Sequence, residues 1–406
     1  MNNNLIIKNC AELVTCSGFA AKTGAAMAEL GIIRHGALVI ENGRIAAVGK
    51  TDEVLGKIRE QEYQVVDAEG RAVLPGFVDS HTHFVFGGFR EEEFAWRLSG
   101  VRYMEIMARG GGIVRTVEAT RKASLEELAA SGRRRLDSML SFGVTTVEGK
   151  SGYGLDRETE LRQLQAMAKL NREHPIDIVS TFLGAHALPA EYKGRSDAFL
   201  DFLSAGVLPE VAGQGLAEFC DIFCEKNVFS LKQSRCFLEK ARQLGLKLKL
   251  HADEMVQLGG AELAAELGAV SADHLLHASD RGIEQLAASG VVATLLPITA
   301  FSLRQPYARA REIIDRNCAL ALATISMGLT PEEAVTAITI NGAAAVGRAA
   351  TVGSLDVGKA GDAVVLEFPS YRFLPYHIGV NAVDKVIKNG RLVFDASQGG
   401  SHCWKH

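Results

Sequence analysis

Residues 73–83 read Val-Leu-Pro-Gly-Phe-Val-Asp-Ser-His-Thr-His, an apolar run that ends in His81 and His83. Successive side chains of a β-strand point to opposite faces, so the two histidines share one face while Thr82 lies on the other. Such a pair can also occur in a polar loop. Here Pro75-Gly76 marks a turn, the flanking run is apolar, and more histidines and acidic residues follow at later strand ends. The stretch therefore predicts a strand that binds a first-row metal ion.

The composition is typical of a soluble globular enzyme. The chain has 406 residues, of which 47% are hydrophobic and 23% charged, enough for a large domain and a smaller one. A net charge of -4 and a pI near 6.3 argue against nucleic acid and membrane surfaces as partners and favour a small molecule. Seven scattered cysteines, no signal-like opening and no long apolar stretch predict a cytoplasmic protein.

Both ends of the chain carry strand patterns. Residues 37–48 hold Asn42-Gly43 between apolar runs, and residues 386–394 hold Asn389-Gly390 in the same setting, which indicates tight hairpins. Chain termini are often close in space. We therefore expect residues 1–73 and 350–406 to form one discontinuous, β-sandwich-like domain.

The middle of the chain, residues 74–349, alternates apolar strand-like runs with amphipathic helical stretches. Repeated strand–helix units over this length predict an α/β fold of the (β/α)8 TIM-barrel type. A doubly wound sheet is the alternative, but no Gly-x-Gly-x-x-Gly follows the first strand.

Polar residues follow several of these strands, where a barrel gathers its chemistry. They are Glu148 to Tyr153, His186, His251 with Asp253 and Glu254, and His274. Each histidine alone could be structural, yet several at corresponding places of successive units point to a site. A third imidazole added to the His81–His83 pair leaves metal positions open for a carboxylate and a water molecule, a pattern typical of hydrolases.

The same motifs resemble the imidazolonepropionase family of the amidohydrolase superfamily. Besides residues 73–83, they are FVFGGFR at 84–90, GGGI at 110–113, EGKSGYGL at 148–155, FLGAHALP at 182–189, HADE at 251–254 and ADHL at 272–275. The resemblance extends along nearly the whole chain. It implies hydrolysis of 4-imidazolone-5-propanoate to N-formimidoylglutamate in histidine degradation, on one zinc or iron ion.

The resemblance also implies roles for single residues. His81, His83 and His251 would bind the metal, Glu254 and His274 would be catalytic, and Arg90, Tyr153 and His186 would bind the substrate. A glutamate beside a strand-end ligand suits proton transfer, and a guanidinium suits a propionate carboxylate. The alternatives are a helix N-terminal charge for Glu254, a structural histidine for His274 and a surface arginine for Arg90.

The chain departs from the family pattern after Thr324. There the family has a metal-binding Asp, a substrate loop and a helix, whereas this chain continues with Ile325 and, at Thr330-Pro331, the start of the following helix. The segment is therefore either absent from the molecule or omitted from the sequence. The competing functions are an inactive metal-binding remnant and another cyclic amidohydrolase or deaminase. Three imidazoles suit zinc and iron equally, and a homodimer is an open expectation.

Overall fold

The computed structural model describes residues 3–56, 58–101, 105, 111–321, 327–377 and 379–398. Its strands, in chain order, are β1 (Leu5–Val14), β2 (Ile32–Glu41), β3 (Arg44–Lys50), β4 (Gln64–Asp67), β5 (Ala72–Pro75), β6 (Phe77–Thr82), β7 (Val144–Lys150), β8 (Asp177–Ala185), β9 (Phe219–Cys224), β10 (Lys247–Ala252), β11 (Ser271–His274), β12 (Val292–Thr294), β13 (Leu320–Ala321), β14 (Ala363–Leu366), β15 (Val383–Lys388) and β16 (Arg391–Asp395).

The α-helices lie mainly between the middle strands. Their bounds are Thr51–Leu55, Glu91–Leu98, Ile113–Lys122, Leu125–Ser141, Arg157–Glu173, Ser196–Phe202, Leu208–Gly213, Leu231–Gln243, Gly260–Glu266, Asp280–Ser289, Pro297–Leu303, Ala310–Asp315, Pro331–Ile338, Ile340–Ala345 and Phe373–Tyr376. Short 3-10 helices span Gly24–Ala28, Glu60–Glu62, Ala190–Tyr192 and Ala396–Gln398, and a π-helical turn spans Leu203–Val207.

The first sheet joins the two ends of the chain. Its strand order is β16-β15-β14-β5-β1-β2-β3, with β4 also paired to β1. β14 pairs antiparallel with β5 and with β15, so a C-terminal strand sits directly against an N-terminal one. The sheet continues to Pro75, slightly past the domain boundary expected at residue 73, and the boundaries themselves stay a prediction.

Both expected hairpins form. β2 and β3 pair up to Glu41 and Arg44, and β15 and β16 pair up to Lys388 and Arg391, so each loop is an Asn-Gly pair. Both loop residues have positive φ in each case, 51° and 78° in the first loop and 48° and 71° in the second. Asn and Gly tolerate that left-handed region, which the tight turn between twisted strands requires.

The second sheet is a nearly closed parallel barrel. β6 to β13 follow one another in space as in sequence, and each neighbouring pair is parallel. The largest hydrophobic cluster fills the space between these strands and the surrounding helices, and a smaller one lies within the mixed sheet. The predicted fold class, a (β/α)8 barrel with an added β-domain from both termini, is confirmed. Parallel strands place all their carboxyl ends, and hence the predicted site, at one face of the barrel.

Two further points bear on the sequence expectations. Thr324 and the junction that follows it lie outside the described residues. Among the described helices, none combines the length and apolar character needed to cross a membrane.

Candidate active site

The first two histidines lie at the carboxyl end of β6. His81 is buried, and its Nδ1 lies 2.7 Å from Oδ2 of Asp273, a carboxylate at the end of β11. His83 follows the strand, and its Nδ1 lies 3.3 Å from the carbonyl oxygen of Ser151. Their ring centroids are 5.5 Å apart. The two rings are therefore neighbours, although β6 ends at Thr82 and His83 lies just beyond it.

The third histidine comes from β10. The Nδ1 of His251 lies 2.9 Å from Oδ2 of Asp221, and its ring centroid lies 4.7 Å from that of His81 and 5.9 Å from that of His83. Ring nitrogens of the three histidines lie within 4.8 Å of one another. The Nε2 of His251 is buried and has no hydrogen-bond partner. Each Nδ1 has an acceptor, so the Nε2 lone pairs are left for a common metal ion.

The surroundings keep the imidazoles of His81 and His83 neutral. Burial, followed by the charge of Lys150, lowers the pKa of His81 to about 3. Burial and the nearby His186 hold the pKa of His83 well below its usual range. Neutral imidazole is the form that binds a metal, since its free nitrogen carries a lone pair.

Glu254 and His274 stand beside the three histidines. The His274 ring centroid lies 4.9 Å from that of His251 and 5.2 Å from that of His81, and both of its ring nitrogens are buried without a hydrogen-bond partner. Glu254 Oε1 lies 3.5 Å from His274 Nδ1, a contact longer than a good hydrogen bond. Burial raises the pKa of the Glu254 carboxyl. Glu254 precedes the nearest helix, Gly260–Glu266, so the helix N-terminal reading of this residue does not apply.

His274 also has an unusual backbone conformation. Its φ of 75° lies in the left-handed region, although it is not a glycine. Such a conformation costs energy, and it occurs more often at functional sites than elsewhere.

Two of the three residues expected to bind substrate, Tyr153 and His186, lie against His83. The His186 ring stacks on His83 at 4.9 Å with an interplanar angle of 10°, and the Tyr153 ring lies 5.3 Å from His83 and 5.4 Å from His186. His186 Nδ1 lies 3.0 Å from the Gly152 carbonyl oxygen, which leaves its Nε2 free for another partner. Burial raises the pKa of Tyr153, and the charge of Arg90 opposes that rise. Arg90 itself is exposed and lies just before the helix Glu91–Leu98.

Gly112, in the glycine-rich motif, packs against a buried glutamate. The backbone N–H of Gly112 donates to Oε2 of the buried Glu93 at 3.0 Å. A buried carboxylate accepts this donor, so at Gly112 the loop is packed against the protein instead of forming an open anion cradle.

Sequence reasoning missed the charged residues behind the histidines. Asp221 and Lys249 are fully buried, as are Glu148, Lys150 and Asp273, which it had noted only within motifs. The available signal was a charged residue inside an apolar barrel strand, as in Phe-Cys-Asp-Ile-Phe-Cys at 219–224 and Leu-Lys-Leu-His at 248–251. A buried charge requires a partner, so each such position indicates an interior ion pair.

Family models and curated relatives agree on one family. The model of the amidohydrolase family matches residues 307–393, a second amidohydrolase model matches residues 64–111, and a bacterial imidazolonepropionase-like composite domain matches residues 36–57. An imidazolonepropionase of Clostridium tetani is 57% identical over 414 positions, covering 97% of this chain and 99% of the relative. An imidazolonepropionase of Parabacteroides distasonis is 57% identical, covering 96% and 99%.

Solved structures agree with the fold. A triazine hydrolase from Arthobacter aurescens matches with a TM-score of 0.73 at 16% identity, covering 97% of this chain and 95% of the other. A zinc-bound adenosine deaminase from Xanthomonas campestris matches with a TM-score of 0.69 at 17% identity and the same coverage. At such low identity these matches establish the barrel fold alone.

The alignment with the Clostridium tetani relative also bears on the departure after Thr324. It spans 414 positions, whereas 97% of 406 residues is about 394, so about twenty aligned positions have no residue in this chain. The three-histidine group of the described residues contains no carboxylate. High identity over nearly the full length of both chains nevertheless decides the relationship: the chain belongs to the imidazolonepropionase family of amidohydrolases.

Proposed function

We propose that this protein hydrolyses 4-imidazolone-5-propanoate to N-formimidoyl-L-glutamate in histidine degradation, with one zinc or iron ion bound by His81, His83 and His251. The observation that carries the proposal is the convergence of these three imidazoles beside Glu254, in a chain 57% identical to imidazolonepropionases. The unpartnered, buried Nε2 of His251 fits a metal ligand. A bound metal would activate water and polarise the ring carbonyl.

We assign proton transfer to Glu254. The water oxygen bonds to the ring carbonyl carbon, the ring carbon–nitrogen bond breaks, and Glu254 carries the water proton to the leaving nitrogen. Its raised pKa suits this task, because a base works best when its pKa approaches the working pH. His274, whose ring nitrogens have no hydrogen-bond partner, would orient the water or polarise the carbonyl oxygen.

We assign substrate binding to Arg90, Tyr153 and His186. The Arg90 guanidinium would pair with the propionate carboxylate, which its planar fork can bind bidentately. The charge of the exposed Arg90 acts on Tyr153. The propionate end of the substrate would therefore point away from the buried histidines, toward Arg90 and the solvent. The Tyr153 hydroxyl and the free Nε2 of His186 would supply hydrogen bonds to the polar ring.

We assign the unmatched positions to the junction after Thr324. On this assignment the chain lacks the anionic metal ligand of its relatives. The buried carboxylates Asp221 and Asp273, which are hydrogen-bonded to the ligand histidines His251 and His81, would then offset the metal charge without binding the metal directly. A cytoplasmic location, supported by the free cysteines among the described residues, and a possible homodimer are part of the same proposal.

A direct assay tests the proposal. The full chain is purified, loaded with Zn²⁺ or Fe²⁺, and mixed with 4-imidazolone-5-propanoate while the loss of its absorbance is followed and the product is identified by mass spectrometry. We expect metal-dependent formation of N-formimidoylglutamate. Folded, metal-loaded protein without turnover would identify an inactive remnant, and ammonia release from a cyclic amidine without imidazolone hydrolysis would identify a deaminase.

A further inference from the structure

A buried network of charged side chains lies behind the histidines. Glu148 and Lys150 belong to β7, Asp221 to β9, Lys249 to β10 and Asp273 to β11, and each is 0% exposed. Removing so many charges from water is costly, and it is tolerated only when each charge has close partners. The network is therefore a built feature of the barrel interior that requires an explanation.

Lys150 is the centre of this network. Its Nζ lies 2.7 Å from Oδ2 of Asp221, 3.1 Å from Oε1 of Glu148 and 3.1 Å from Oδ2 of Asp273. The contacts with Asp221 and Glu148 are hydrogen bonds, and the contact with Asp273 is an ion pair. Lys249, the second ammonium group of this network, pairs with Glu148 at 2.7 Å. Among the described residues, Lys150 is thus the cation that bridges both aspartates.

The two aspartates are the groups that hold histidine rings. Asp221 accepts from His251 Nδ1 at 2.9 Å and from the His251 backbone N–H at 3.0 Å. Asp273 accepts from His81 Nδ1 at 2.7 Å and, through its other oxygen, from the Ser271 hydroxyl at 2.7 Å. A carboxylate bound to the far nitrogen of a metal-binding imidazole fixes both the tautomer and the ring direction.

We infer that Lys150 is a positioning residue that ties Asp221 to Asp273 and so aims the Nε2 atoms of His251 and His81 at one metal ion. The inference rests on the proposed function, because it assumes a metal at these histidines. Three carboxylates and two ammonium groups also leave the network with one net negative charge, close to the cation it would serve. Lys150 therefore couples two ligands that come from strands on different sides of the barrel interior.

The test measures zinc affinity by competition with a chromogenic chelator, using the full-length protein and Zn²⁺ alone. We expect Lys150→Met to weaken zinc binding by about 10–100-fold, the usual loss when a partner of a metal ligand is removed. Lys150→Gln should lose less, and Lys150→Arg least, since Arg keeps the charge but cannot reproduce three contacts from one nitrogen. Circular dichroism shows which of the three Lys150 variants are folded, and the zinc affinity of any folded variant tests the inference. Wild-type zinc affinity in a folded variant would overturn the inference.

Lys388 provides a matched control. It is 3% exposed, and its Nζ bridges Asp177 and Asp362 at 2.6 Å each, in β15 of the other sheet. Lys388→Met should lower the unfolding temperature but leave zinc affinity within about twofold of the wild type, because it touches no histidine. Equal weakening in both Met variants would mean a general loss of stability and would reject the positioning role. Failure of the wild-type protein to bind zinc would instead count against the proposed function.

Discussion

Burial has opposite effects on the ionisable groups of the site, and the combination favours metal-assisted hydrolysis. It lowers the pKa of His81 and of His186 to about 3, which leaves neutral imidazoles available as ligands and hydrogen-bonding groups. It raises the pKa of Glu254 and so makes that carboxylate a better proton acceptor than an exposed one. One desolvated pocket therefore prepares both kinds of group for their proposed roles.

Replacing Glu254 by Gln tests the proton-transfer role. The amide keeps the shape but cannot accept the water proton, so kcat should fall by about 10²–10⁴-fold. Zinc content, measured by elemental analysis, should stay at the wild-type level, because Glu254 is not among the three histidine ligands. Glu239→Gln, at an exposed position of the helix Leu231–Gln243, is the control and should keep full activity. Wild-type turnover in E254Q would remove Glu254 from the mechanism.

Replacing Arg90 by Ala tests recognition of the substrate carboxylate. Loss of a charge-assisted hydrogen bond costs about 1.5–3 kcal/mol, so kcat/KM should fall by about 10–150-fold, mostly through a higher KM. Arg115→Ala is the control, since Arg115 pairs with Glu92 on the exposed side of the neighbouring helices. Steady-state kinetics decide the matter. An unchanged KM in R90A would return Arg90 to the status of a surface arginine.

At the scale of elements, the helix Pro331–Ile338 has a complete N-terminal capping box. Thr330 accepts from the Glu333 N–H, the Glu333 side chain accepts from the Thr330 N–H, and Pro331 occupies the first helical position. A complete N-terminal cap is expected if this helix follows the segment that the chain lacks and is itself intact. Thr330→Ala should therefore destabilise the protein by about 1 kcal/mol, measured by urea unfolding. Ser230→Ala removes the same kind of cap from Leu231–Gln243 and sets the scale. No change in T330A would mean that packing alone fixes this helix.

The sequence predicted the elements better than it predicted their contacts. Alternating strands and helices indicated the barrel, and Asn-Gly pairs located both hairpins, because these features depend on local pattern. The closeness of His81 and His83 was also predictable, since the two are only two residues apart at the end of β6. The pairing of His81 with Asp273 joins residues 192 positions apart, and the link of Lys150 to Asp221 joins residues 71 apart. Such contacts depend on how the barrel closes, which no local pattern in the sequence specifies.

At the scale of the whole molecule, the departure from the family pattern lies next to the last strand of the barrel. Within the described residues β13 spans Leu320–Ala321, and the description continues at residue 327. β12 pairs with β13 through two residue pairs. The proposed junction therefore follows β13, the last strand of the barrel in chain order.

Restoring the unmatched segment tests the link between this gap and the site. A chimera would carry, after Thr324, the corresponding positions of the Clostridium tetani relative, about twenty by the 414-position alignment against 97% of 406 residues. An added anionic ligand would offset the charge that three neutral imidazoles leave on a metal, so the zinc dissociation constant should fall by about tenfold or more, equal to about 1.4 kcal/mol or more. The rate of imidazolone hydrolysis should rise with it. A Gly/Ser insert of equal length at the same junction is the control and should improve neither property, since it supplies length without a ligand. If the relative's segment performs no better than that insert, the unmatched positions lie elsewhere and the three-histidine site functions as it stands.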